Sequence, residues 1–342
     1  MTAYRVAQAA TAGAPLELAS RQTAPLPARH VRIAVEACGV CRSDVGFIND
    51  AVPGVRFPVV AGHEIAGRIA ELGPATPEIW QVGERVAVGW FGGSCGHCAQ
   101  CREGDFIVCP NLSVPGWSYE GGFAEQVVAP VDALARIPDE LSAAEAAPLG
   151  CAGVTTFNAL RRSHVRAGDR VAVLGVGGLG HLAVQYAAAM GFETIAIARG
   201  PQKAEFAKQL GAHHYVDSTA GSVADSLRAL GGADVVLATA SNSEAIAATV
   251  DGLNPRGELV VIGVDATPLN ISPAQIIMPA KSVRGHPSGT AKDVEDTMAF
   301  SALHSIRPMI ETVPLDGAEE AYQKMLSGAA RFRMVLLTGA AG

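Results

Sequence analysis

Four cysteines fall within fifteen residues, as Cys95-x2-Cys98-x2-Cys101-x7-Cys109. Four thiolates in one loop satisfy a metal that takes four soft ligands and no water, which is the coordination of structural zinc. An iron–sulfur cluster is the other chemistry such a set can serve. A disulfide framework is disfavoured, because the chain holds an odd total of seven cysteines in a long sequence without a secretory leader. Gly92, Gly93, Gly96 and Gly104 let the backbone fold tightly around a metal. A closed site of this kind contributes roughly 10–16 kcal/mol of apparent binding free energy to the ordering of its loop.

Further ligand types are scattered: Cys41 in Cys41-Arg42-Ser43-Asp44, His63-Glu64 after Gly62, and Cys151 after Gly150. Taken singly, each reads as readily as a core residue as a ligand. A third pattern, Gly175-Val176-Gly177-Gly178-Leu179-Gly180, matches G-x-G-x-x-G. The pattern is weak alone, but here it follows an apolar strand-like run and opens an Ala-rich helical stretch, which is the setting of a dinucleotide pyrophosphate loop. The first glycine permits the tight turn, the second lets backbone approach the phosphates, and the third allows close helix–strand packing. The helix N-terminus then favours the anion.

An NAD site places an acid at the end of the next strand, near position 199. Here that position is Arg199, with Lys203 four residues on and Gly200 leaving room beside the adenosine. A guanidinium attracts a 2′-phosphate, so NADP is favoured over NAD.

These groups need two kinds of scaffold. The first third of the chain reads as short strands broken by Gly and Pro: 31–35, 85–89 and 125–128 alternate or run apolar, as in an irregular β domain. From about residue 150, strands at 170–174, 194–198, 234–238 and 258–262 alternate with helices at 181–190 and 202–210, the latter closed by Gly211. That alternation predicts an α/β doubly wound parallel sheet. Beyond residue 285 it weakens into a helix at 293–303 and a last strand at 333–337 that rejoins the first domain. No internal repeat or low-complexity linker is visible.

A chain of 342 residues exceeds what one core holds, so two domains are expected. A hydrophobic fraction of 49% supplies those cores. The net charge of -7 and the lack of a dense Lys/Arg run exclude nucleic acid as the expected partner. No apolar run spans a membrane, and Met1–Gly13 lacks the pattern of a secretory signal, so the expected compartment is the cytoplasm.

Along essentially its whole length the chain resembles the zinc-containing medium-chain dehydrogenase/reductase superfamily, in particular its bacterial and cinnamyl-alcohol-dehydrogenase-like alcohol dehydrogenases. The motifs that carry the resemblance are Cys41–Asp44, Gly62-His63-Glu64, the four-cysteine loop, Cys151 and Gly175–Gly180. It implies a GroES-like catalytic domain at 1–150, completed by 286–342, and a Rossmann domain at 151–285, with the active site in the cleft between them. It implies two zinc ions per chain. One is structural, on Cys95, Cys98, Cys101 and Cys109. The other is catalytic, on Cys41, His63 and Cys151, with the fourth position left for water or substrate oxygen. Cys38 is left over as a core residue.

The resemblance further implies that Glu64 binds the metal transiently, that Asp44 holds the free ring nitrogen of His63, and that Ser43 hands a proton to the cofactor ribose. Many relatives carry His where this chain has Gly46, so the proton is expected to leave through water, without a His limb in the pH–rate profile. Arg42 is expected on the pyrophosphate, and Thr155 and Val264 join the glycine loop, Arg199 and Lys203 as cofactor contacts. Trp90, Phe91 and Trp117 are candidates for an apolar substrate wall, with packing an equal alternative for each. The implied activity is reversible hydride transfer between a primary, aromatic or medium-chain alcohol or aldehyde and NAD(P).

Three rivals stand beside it. Polyol or secondary-alcohol dehydrogenases of the superfamily often carry Glu in place of Cys151. Zinc-independent reductases lack the ligands. A non-catalytic NADP-binding sensor or crystallin-like protein needs no open zinc site. Relatives are dimers or tetramers, and an apolar strand near Ile276–Met278 is expected to extend the sheet across an interface.

Overall fold

The computed structural model describes residues 2–339. Within them the chain up to Val154 packs with the chain from Ser288 onward, and Thr155–Pro287 forms a second compact unit. The boundaries lie slightly beyond 150/151 and 285/286, because the turn Leu149–Gly153 packs on elements of the first unit.

The first unit opens with an antiparallel pair, β1 (Ala3–Ala9) and β2 (Leu16–Gln22). Its main sheet uses β3 (His30–Val40), β4 (Glu64–Leu72), β5 (Arg85–Val88), β6 (Gln126–Pro130) and β7 (Ala135–Arg136). The long β3 pairs antiparallel with both β4 and β6. Irregularities at Arg32/Ile33 and Val35/Ala37 bend the β3–β4 ladder. Beyond them the register sets Gly39 opposite Glu64, so the end of β3 and the start of β4 meet. Val6, Ile33, Val35, Ile65, Phe123 and Val127 form part of its core.

The second unit holds β8 (Arg170–Leu174), β9 (Glu193–Ala198), β10 (His214–Asp217), β11 (Ala233–Ala238), β12 (Leu253–Val261) and β13 (Ser282–Gly285). All pairings are parallel, in the order β10-β9-β8-β11-β12-β13. The order reverses between β8 and β11, and in such sheets ligands bind beyond the strand ends at that point. Continuous apolar runs such as Val171–Leu174 and Val235–Ala238 are fully buried, as strands covered on both faces must be. The stretch expected as one helix at 202–210 begins as a tight 3-10 turn, Pro201–Lys203, and becomes α-helical over Ala204–Gln209; Gly211 follows with φ +101°.

Residues 276–278 are not a strand. Pro273–Ile277 is helical, with Pro273 pre-set for the first turn and the Ser272 N–H donating to Gln275 Oε1 at 2.8 Å. The strand on that edge of the sheet is β13.

The chain then returns to the first unit. β14 (Ile310–Pro314) runs parallel to β15 (Arg333–Leu337), and β15 pairs antiparallel with β3, Met334 opposite Val40. Among the described residues no helix is long and apolar enough to cross a membrane.

Candidate active site and metal centres

In the four-cysteine loop the Sγ atoms all lie within 4.8 Å of one another. Cys95 and Cys109 are 3.6 Å apart at sulfur, and Cys98 and Cys109 are 3.8 Å apart. A tetrahedron with metal–sulfur bonds of about 2.3 Å has edges of about 3.8 Å, so the set fits zinc as it stands. A short helix, Ala99–Arg102, starts at Cys98, whose sulfur accepts from the Cys101 N–H at 3.4 Å. The Asn111 N–H donates to Cys109 at 3.3 Å. Backbone N–H groups of His97 and Cys98 bring the Cys95 thiol down to about 6, which favours the thiolate. All seven cysteines are free of disulfides.

The scattered ligands converge in the first unit. Cys41 follows β3, His63 immediately precedes β4, and Cys151 sits in a π-helical turn, Leu149–Gly153, a distortion common at functional sites. Ligand atoms of Cys41, His63, Glu64 and Cys151 lie within 4.8 Å of one another. Asp44 opens the short helix Asp44–Ile48 and is completely buried. It accepts from the N–H groups of Cys41 at 2.8 Å and Gly62 at 3.3 Å, and lies 2.8 Å from His63 Nδ1. His63 Nε2 is then buried without a protein partner. A buried ring nitrogen left in this state is costly unless a metal takes it. Two sulfurs, one orphaned imidazole nitrogen and a braced second nitrogen fit zinc.

The electrostatics agree. The hydrogen bond from Cys151, with His63 alongside, holds Cys41 well below the usual thiol range, and the same bond with burial pushes Cys151 up. Burial opposes charge on His63, but Asp44 and Cys41 outweigh it and raise the imidazole.

Glu64 is also fully buried. Its Oε2 has no partner, while Oε1 pairs with Arg333 Nη2. Burial brings its carboxyl up to about 7 even against that guanidinium. A Cβ on Gly39 would lie 1.9 Å from Glu64 Oε2, so only glycine leaves room for this carboxylate. Arg333 is 5% exposed and was not foreseen as a site residue. The available signal was a basic residue heading an otherwise apolar strand.

Phe47, also unforeseen, is the centre of an aromatic stack. It lies 6.1 Å from both Trp90 and Trp117, near parallel to each. Trp90 stands edge-on to His63 at 5.2 Å, and Trp117 donates from Nε1 to the Pro53 carbonyl at 2.9 Å. Phe91 is buried, and among the described residues no ring contact joins it to this group. Ser43 precedes the Asp44 helix and is half-buried, while Arg42 is exposed. Cys38 is a core residue whose thiol burial pushes up.

In the second unit the three glycines occupy different environments. Gly175, after β8, has φ +95°. A Cβ on Gly177 would meet no atom within 4 Å, and one on Gly180 would lie 1.7 Å from the Gly175 carbonyl oxygen. The loop is therefore open at the second glycine and closed at the third, as a pyrophosphate cradle requires. Gly178 and Leu179 lead into the helix Gly180–Ala189. Thr239, beyond β11, places Oγ1 2.9 Å from the carbonyls of Leu174 and Gly175 and braces the turn. Arg199 is exposed and has no carboxylate partner among the described residues. Lys203 Nζ lies 3.5 Å from the Val176 carbonyl. Thr155 is buried, whereas Val264 is 84% exposed.

Residues 27–139 match the family described as Alcohol dehydrogenase GroES-like domain, and 178–302 match Zinc-binding dehydrogenase. An alcohol dehydrogenase of Aspergillus sp., notN, is 43% identical over 304 residues, 89% of each chain. A cinnamyl alcohol dehydrogenase structure from Sorghum bicolor superposes with a TM-score of 0.90 at 30% identity, covering 100% of this chain and 98% of that one. A cinnamyl alcohol dehydrogenase from Helicobacter pylori, complexed with NADP(H), superposes with a TM-score of 0.87 at 26% identity over 98% of each chain.

Proposed function

The chain belongs to the zinc-containing alcohol dehydrogenases of the medium-chain dehydrogenase/reductase superfamily, and we propose that it moves a hydride reversibly between a primary alcohol or aldehyde, aromatic or medium-chain, and NADP in preference to NAD. The observation that carries this reading is the braced His63, whose orphaned Nε2 lies among Cys41, Cys151 and Glu64.

Cys41, His63 Nε2 and Cys151 would hold one zinc, and Cys95, Cys98, Cys101 and Cys109 a second. Zinc held there would supply a Lewis acid for the substrate oxygen, and a bound nicotinamide would supply the hydride acceptor or donor. Asp44 keeps the proton of His63 on Nδ1, so that Nε2 remains a donor to metal. Glu64, held by Arg333 with its Oε2 unpartnered, would be a reserve ligand for the metal. The Ser43 hydroxyl carries the substrate proton away, and water continues the path because Gly46 offers no imidazole. Trp90 and Trp117 form an apolar wall that excludes water and suits a flat or extended substrate. Phe91, which is buried, is assigned to packing and not to that wall.

Arg42, Thr155, Gly175, Gly177, Gly178, Leu179, Gly180 and Val264 would bind the cofactor, with Arg199 and Lys203 on the 2′-phosphate. The chain through 150 and from 286 would be the catalytic domain, and 151–285 the cofactor domain. Cys151, where polyol dehydrogenases often carry Glu, supports a simple alcohol as substrate. Seven free thiols suit a reducing compartment such as the cytoplasm. A homodimer or homotetramer is the expected assembly, with β13 as the strand available to extend a sheet; elution as a monomer in size-exclusion chromatography would remove that assignment.

The deciding experiment is reduction of a panel of aliphatic and aromatic aldehydes with NADPH and NADH in parallel, with zinc measured on the same sample. Two zinc per chain and faster turnover with NADPH are expected. Equal or better rates with NADH would defeat the cofactor assignment. One zinc and no turnover would point instead to a binding protein.

A further inference from the structure

We infer that Tyr215 and Asp217 are positioning residues for cofactor choice, because they hold Gly200 at both its N–H and its carbonyl and so fix the direction in which Arg199 leaves the sheet. This inference rests on the reading of Arg199 as the 2′-phosphate group's partner.

β9 ends at Ala198, and the chain turns through Arg199 and Gly200 into Pro201–Lys203. Gly200 has φ +82° and ψ +147°, a conformation cheap only for glycine. Such a turn keeps one geometry only if its surroundings over-determine it. β10 supplies those surroundings. It runs parallel to β9 with Tyr215 beside Ala196 and Asp217 beside Ala198, and the Ser218 N–H donates to the Ala198 carbonyl at 2.9 Å. Residues two apart on a strand share a face, so both side chains reach the same turn. Tyr215 Oη donates to the Gly200 carbonyl at 2.5 Å. Asp217 Oδ1 accepts from the Gly200 N–H at 2.8 Å, the Thr219 N–H at 2.9 Å and Thr219 Oγ1 at 2.7 Å.

Two consequences follow for selectivity. The exposed Arg199 side chain has no carboxylate to orient it among the described residues, so the backbone it grows from sets where the guanidinium reaches. The acid on the neighbouring strand end, Asp217, has one oxygen committed to this turn. Its Oδ1 takes two donors from Thr219 and one from the turn, the Gly200 N–H, and these bonds hold the carboxyl below its usual range and aim it at the backbone. A carboxylate is thereby used to brace the turn from which Arg199 projects.

The test compares adenosine 2′,5′-bisphosphate with AMP by isothermal titration calorimetry, together with kcat and KM for NADPH and NADH. The variants are Tyr215→Phe, Asp217→Ala, Asp217→Asn and Arg199→Ala. Tyr215→Phe and Asp217→Ala are expected to weaken the bisphosphate on the order of tenfold while AMP stays within about twofold, with KM for NADPH rising and kcat unchanged. Asp217→Asn, which keeps an acceptor oxygen, is expected to retain the preference. The inference is overturned if Arg199→Ala abolishes the preference but Tyr215→Phe and Asp217→Ala keep it, or weaken both probes equally; the reading of Arg199 then stands alone. If Arg199→Ala leaves the preference intact, the reading of Arg199 fails, and the inference with it.

Discussion

His63 Nδ1 and Asp44 Oδ1 lie 2.8 Å apart with both side chains fully buried. The same carboxylate accepts from the Cys41 N–H through its other oxygen. One group thus ties together the backbone of one proposed ligand and the ring of another. The carboxylate fixes which imidazole nitrogen is left free, and its charge would stabilise the ring with a metal on that nitrogen.

Asp44→Asn preserves volume but has a single acceptor oxygen. Either the Cys41 N–H or His63 Nδ1–H must then face an NH2 group. Zinc affinity at this site is expected to fall ~10–100-fold, with the zinc of the cysteine loop retained. Competition with a chromogenic chelator measures this directly. Two zinc ions per chain held as tightly as before would show that Asp44 is only a packing residue.

Cys98→Ala removes one sulfur of the other set. Zinc content is expected to drop from two to one per chain, and protease cleavage to appear between residues 92 and 112. The melting temperature should fall by roughly 2–4 °C for each kcal/mol lost in a unit of this size. Unchanged zinc content after this substitution would refute the assignment of the loop as a metal site.

Much of this site could be read before any geometry was known, and the reason differs from residue to residue. The four cysteines are close in sequence, so spacing alone marks them as a candidate metal set. The three glycines needed only a strand before them and a helix after. Cys41, His63 and Cys151 are separated by long stretches of chain, and their meeting depends on the β3–β4 register and on a π-helical turn that no local pattern encodes. Arg333 and Phe47 were not legible. The first reaches Glu64 only because β15 returns to β3, and the second is an ordinary apolar residue of a short helix. Ile276–Met278 went wrong for the opposite reason: an apolar run resembles a strand, but the Ser272-Pro273-x-Gln275 cap starts a helix there.

Trp117 stacks on Phe47 and is partly exposed, so its removal should change the proposed substrate wall more than the fold. A stacked aromatic contact is worth about 0.5–1.5 kcal/mol beyond its area, or roughly two- to tenfold in binding. Trp117→Ala is expected to raise KM for aromatic aldehydes by that factor, with a smaller change for short aliphatic ones and kcat nearly constant. A uniform loss across the panel would mean that Trp117 acts through packing and not through substrate contact.

Gly46 occupies the place from which an imidazole could extend the proton path proposed for Ser43. It lies in the helix Asp44–Ile48, and a Cβ there would meet only Val52 Cγ1, at an ordinary 3.5 Å. A Cβ at residue 46 is therefore accommodated without moving the backbone, and replacing a helical glycine, as in Gly46→His, is itself mildly favourable. Without an imidazole in the path, the kcat profile of the native enzyme should show no limb near the unperturbed His value of about 6.5. The variant should gain one: activity on the alcohol-oxidation side rising as pH passes through about 6–7, because only the neutral ring can accept the proton from Ser43. Profiles of kcat from about pH 5.5 to 9 for both proteins make the comparison. A His-like limb already present in the native enzyme would place another imidazole on the path, and identical profiles in the two would mean that protons leave by a route that does not pass residue 46.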